Sequence, residues 1–166
     1  MAGSLNLFIE EIRNNPKKFK DITPHFVIIL KQVIEHKLPK EFDYHRLPAP
    51  WVQIKLLKIM ELLGKNDLKA SEHCYSILEQ TLKRAEDINN NIAFAVTYQC
   101  VRCIATIYPK EKLIEEAASS LSKFMSSSSN NQKFMGIQAL SILYKENPKL
   151  LTEHQMTIID CLESRD

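Results

Sequence analysis

The chain has 166 residues, 45% of them hydrophobic and 25% charged, with 22 Lys and Arg against 20 Asp and Glu. That is one domain's length with apolar material enough for a core, and a net charge of +2 is too balanced for electrostatic nucleic-acid binding. Apolar runs such as residues 26–30 are too short to span a bilayer, and no basic segment followed by an apolar stretch marks a cleavable signal, so the chain reads as cytosolic.

Taken in order, the chain reads as helices with short connectors. Residues 1–4 look like a cloning remnant, with Ser4 as N-cap of a helix over 5–13 whose Leu5, Phe8, Ile9 and Ile12 form one face. Asn14-Asn15-Pro16 ends it. Thr23-Pro24 starts a second helix with Phe26, Val27, Ile29, Leu30, Val33 and Ile34 inward, and Pro39 marks the exit. The longest connector then runs to Pro50. From Trp51 to Leu63 the chain is nearly all apolar apart from Gln53, Lys55, Lys58 and Glu61, which predicts an inner helix packed on most of its circumference and stopped by a left-handed Gly64.

An outer, half-buried helix follows over 67–84, with Leu68, Cys74, Tyr75, Leu78 and Leu82 on its inward face. Asn89, Asn90 and Asn91 offer caps for a second inner helix over 92–108, stopped by Pro109. Residues 112–125 read as outer again. After a polar loop at 126–131, a third inner helix starts near Gln132 and ends at Asn147-Pro148, and shorter helices near 149–153 and 154–162 complete the chain.

The inner helices carry matching polar strips. Lys58, Glu61 and Lys65 recur as Gln99, Arg102 and Thr106 after 41 residues, and as Gln138, Ser141 and Lys145 after 39 more. A two-helix period of about 40 residues is that of HEAT and armadillo-type repeats, in which each hairpin buries its apolar faces only against its neighbours. The fold class is therefore all-α, an α-solenoid of antiparallel helix pairs, and three glycines leave little room for hairpins or phosphate loops.

YHRLPAPWVQIKLL, TYQCVRCIATIYPK, KFMGIQALSIL and HQMTIIDCLESRD resemble segments of the adaptin N-terminal trunk, the helical solenoid of the large subunits of clathrin-type adaptor complexes. The likeness covers residues 19–166, and HQMTIIDCL places it nearest the epsilon branch of the family. It implies that residues 1–166 are one internal stretch of a longer trunk. It further implies a scaffold in vesicle-mediated protein transport and cargo sorting at the trans-Golgi network, on the cytoplasmic side of the membrane. The partners implied are the small, medium and second large subunits, an Arf-family small GTPase, and cargo sorting signals met through the assembled complex. The family has no catalytic residues and no cofactor.

Lys55, Lys58, Arg102 and Lys145 are the candidate partner-binding residues, forming a basic inner surface for acidic groups. Because Glu61 interrupts them, a merely solvated strip is the simpler reading. Trp51, at the head of an apolar helix, is expected in the core, its alternative being a partner anchor. Tyr44 and His45 are expected to pack the long connector, their alternative being a polar recognition corner. The run Ser126 to Ser129 is either a flexible loop or a phosphorylation site.

Four cysteines, two of them in a mid-helix Cys100-x-x-Cys103, are too scattered for a disulfide framework and lack metal-ligand spacing. His73 and Cys74 are helix neighbours pointing about 100° apart, so they form no dyad, and no other constellation suggests catalysis. Among binding scaffolds, a nuclear-transport solenoid is the alternative, but it would present acidic strips where these lean basic.

Overall fold

Proline and short polar side chains decide where the helices begin. In the computed structural model, which describes residues 2–86, 88, 90–146, 148 and 159, the helices are α1 (Ala2–Asn14), α2 (Thr23–Ile34), α3 (Pro50–Gly64), α4 (Leu68–Glu86), α5 (Asn91–Thr106), α6 (Glu111–Ser120), α7 (Ser122–Met125) and α8 (Asn130–Glu146). Pro24 and Pro50 occupy first turns, where no N–H is needed. Asp67 Oδ1 accepts from the Ala70 N–H at 2.9 Å, and Asn90 Oδ1 from the Ala93 N–H at 2.8 Å, so Asn90 caps α5 as the sequence predicts and Asp67, expected inside its helix, caps α4 instead.

The helices form two rows. In one, α3 lies between α1 and α5, and α5 is followed by α8; in the other, α2 packs on α4 and α4 on α6. Successive pairs α1/α2, α3/α4 and α5/α6 thus stack side by side, the α-solenoid that the 40-residue period predicts. Leu56, Leu57, Ile59, Met60 and Leu63 of α3 meet Val96, Cys100, Val101 and Cys103 of α5 and Cys74 and Leu78 of α4 in one core. The helices expected at 149–153 and 154–162 lie, Ile159 apart, outside the described residues.

Several expectations are corrected. Helix α1 begins at Ala2, so Ser4 is inside it rather than capping it. Phe8 is 41% exposed at its flank although its ring meets Phe19 and Phe26 edge-on at about 6 Å. Ile29 and Leu68 are exposed, because the helical turn carries them past the edge of the face that α2 and α4 bury. The outer segment 112–125 is broken at Leu121 into α6 and α7.

Gly64 is not the left-handed stop. No glycine has positive φ among the described residues; Asn66, at φ 55°, takes that position. Gly64 is needed for closeness: a Cβ there would sit 2.6 Å from Ile107 Cγ2. Lys65 and Ile107 form an isolated antiparallel bridge, and Ser71 Oγ lies 2.9 Å from Gly64 O while accepting from the Tyr108 N–H at 3.0 Å. Two repeats are joined there by backbone.

The long connector holds a 3-10 turn at Lys40–Phe42 and a minimal hairpin, β1 (Asp43–Tyr44) with β2 (Leu47–Pro48), in the register Asp43 to Pro48 and Tyr44 to Leu47. The Ala49 N–H donates to Phe42 O at 3.0 Å and Gln53 Nε2 to Pro48 O at 2.6 Å, which fixes this loop on the start of α3.

Candidate partner-binding surface

On α3 the residues not fully buried are Trp51, Ile54, Lys55, Lys58 and Leu62, a stripe spaced by three or four residues. This single fact places the candidate cations and overturns the expected core position of Trp51. The indole is 53% exposed, because it shares the stripe with Lys55 and Lys58 rather than with Leu56 and Ile59. It stands against the exposed Tyr44, ring centroids 6.4 Å apart.

The polar strips meet at Glu61. Its side chain is only 8% exposed, yet it accepts from Lys58 Nζ at 2.7 Å and from Gln99 Nε2 at 2.7 Å, with Arg102 Nη2 at 3.6 Å. A buried carboxylate needs such partners, and these come from both α3 and α5. Glu61 therefore does not interrupt the basic residues; it ties two of them together across the repeat boundary. That meeting depends on how α5 is rotated against α3, for which the sequence carried only the 41-residue offset.

The remaining candidates differ. Lys55, half-buried, donates to Asn6 Oδ1 on α1, a neutral acceptor, and has no carboxylate partner among the described residues. Lys145 is exposed on α8. Between α5 and α8, Tyr98 Oη donates to Gln138 Oε1 at 3.4 Å. The strip thus crosses all four helices of its row, and Glu61 is the one carboxylate on it among these side chains. With Lys55, Lys58, Arg102 and Lys145 present, these side chains carry an excess of positive charge over the single carboxylate of Glu61.

Other clusters do less. Burial pushes the Cys74 thiol up to about 12 and raises Cys100 and Cys103 as well, so none presents a thiolate. Among the described residues no group of three His, Cys, Asp or Glu side chains could hold a metal ion. A cavity of about 670 Å³ is lined by serines 126–129 with Asn91, Phe94, Lys123 and Gln132, and no carboxylate or imidazole among these lining residues could act as a general base for the hydroxyls. Within the described residues no helix is long and apolar enough to cross a membrane.

The sequence is similar to known proteins. A family profile described as the adaptin N terminal region matches residues 4–166. AP-4 complex subunit epsilon-1 of Homo sapiens is 46% identical over the whole chain, and AP-4 complex subunit epsilon of Arabidopsis thaliana 45%. AP-1 complex subunit gamma of Dictyostelium discoideum is 30% identical over 89% of the chain. The chain spans only 14%, 18% and 16% of the length of these three relatives.

Proposed function

The chain belongs to the adaptin N-terminal region family, and on that footing we propose that it is a scaffold segment of an adaptor-complex large subunit of the epsilon kind. The carrying observation is identity spread along the entire chain, 46% to an epsilon subunit against 30% to a gamma subunit. Read this way, residues 1–166 are one internal stretch of a longer helical trunk. Its activity is binding rather than catalysis. Lys55, Lys58, Arg102 and Lys145 form part of the surface that meets the small, medium and second large subunits. Membrane attachment is peripheral, gained through the assembled complex and an Arf-family small GTPase, and the setting is cargo sorting at the trans-Golgi network in vesicle-mediated transport.

The polar strip supports a binding role because its side chains are set by neighbouring repeats, as with Glu61, and so form a fixed pattern across several helices. The test is affinity purification of the tagged chain from cell extract, with co-purifying proteins identified by mass spectrometry. Small, medium and second large adaptor subunits are the expected result. Enrichment of nuclear-transport cargo or nucleic acid in their place would overturn the assignment.

A further inference from the structure

The strip begins at an aromatic corner that the backbone holds in an unfavourable conformation. The two residues joining β1 to β2, His45 and Arg46, have φ of 47° and 70°, and Ala49 follows at 38°. Two-residue hairpin turns of this form favour Asn-Gly or Asp-Gly, because a Cβ is disfavoured in the left-handed region. Three such non-glycine residues within five positions mark a place where surrounding structure imposes the geometry, as recognition sites do.

That geometry keeps two large rings at the surface. Tyr44 and Trp51 are 44% and 53% exposed, with ring planes inclined by 52°, and the His45 imidazole meets the Tyr44 ring edge-on at 4.4 Å. Exposed tryptophan and tyrosine fixed on a rigid element are the commonest anchors of protein interfaces. The charges nearby select the occupant. Arg46 is exposed and Lys55 donates to a neutral amide with no carboxylate partner among the described residues, whereas Asp43 is half-buried with His36 Nδ1 3.5 Å away and Glu61 is held by Lys58, Gln99 and Arg102. Glu41, in the preceding turn, is the connector's one exposed carboxylate.

The geometry points to Tyr44 and Trp51 as the anchor for an acidic segment of a partner protein that carries an aromatic side chain. The partner's ring seats against the indole and phenol, and its carboxylates meet Arg46 and Lys55. This deepens the reading of the strip as a partner surface and rests on it.

Trp51 is the sole tryptophan, so its emission reports on the corner directly. The probe is a fluorescein-labelled peptide Glu-Glu-Phe-Glu-Glu, with Lys-Lys-Phe-Lys-Lys and Glu-Glu-Ala-Glu-Glu as controls. The acidic phenylalanine peptide should alter Trp51 emission, weaken with added salt, and bind at least about tenfold less tightly to Tyr44→Ala. Peptide anisotropy should show the same loss for Trp51→Ala and partial rescue by Trp51→Phe, with circular dichroism unchanged throughout.

An unaltered emission with the acidic peptide, equal binding of the lysine peptide, or full binding by Trp51→Ala would overturn the anchor. So would a response to anionic phosphatidylserine vesicles without one to the peptide. If adaptor subunits still co-purify in those cases, the anchor alone is removed; if the peptide binds while no adaptor subunit co-purifies, the anchor stands and the adaptor assignment falls.

Discussion

Trp51 and Leu57 lie six residues apart on one helix and have opposite fates. Leu57 is fully buried, so Leu57→Ala removes packed methyls and leaves a cavity, at a cost of about 2–5 kcal/mol. Trp51→Ala, at an exposed position, should shift stability by less than about 1 kcal/mol. Urea unfolding of the two variants checks this, and a Trp51→Ala loss as large as that of Leu57→Ala would return the indole to the core. The position of Trp51 was legible in principle, since it falls four and seven residues before Lys55 and Lys58. The apolar company of the helix hid it. Glu61 was not legible in that way, because its partners Gln99 and Arg102 arrive from 38 and 41 residues away, at a rotation that only packing decides.

Among the helices, starts were read better than stops. Pro24, Pro50 and Asn90 act locally through a fixed φ or a side-chain cap, so sequence suffices to find them. The close packing at the end of α3 depends on Ile107, 43 residues further on, lying against Gly64. Gly64→Ala gains helix propensity of about 1 kcal/mol but drives a methyl into Ile107, and the overpacking should prevail with a net loss of about 1–2 kcal/mol. Ile107→Ala, itself destabilising, should make the second substitution nearly neutral, and a double-mutant cycle measures that coupling; strict additivity would contradict the close approach.

At the head of α4, the Ala70 N–H and then Lys20 Nζ, 2.6 Å away, hold the Asp67 carboxyl below its ordinary value of 3.8. A lowered folded-state value means that its stabilising contribution is complete above about pH 4 and fades as the pH falls through the folded value. Asp67→Asn should therefore be less stable than the wild type at neutral pH, with the gap between their urea midpoints narrowing in acid. A gap independent of pH would show that the carboxylate charge contributes nothing.

At the scale of the whole molecule, the repeat was readable because each helix pair buries its apolar faces on the next pair, and that requirement recurs in sequence about every 40 residues. The proposed surface was half readable. Its cations were visible as a periodic strip, but their states were not: Lys58 and Arg102 lean on Glu61, while Lys55 and Lys145 meet no carboxylate among the described side chains. Reversing Lys58 and Arg102 would set like charges around a buried Glu61 and disturb the repeat junction together with any partner contact.

Lys55→Glu combined with Lys145→Glu separates the two effects, since neither cation is paired with a carboxylate among the described residues. The decisive measurement is co-purification of this double variant with the small and second large adaptor subunits, with circular dichroism as the folding control. The account predicts an unchanged helical spectrum and association weakened at least about tenfold, as expected when cations at a charge-complementary surface are reversed. A double variant that associates as the wild type does would contradict a partner surface along this strip.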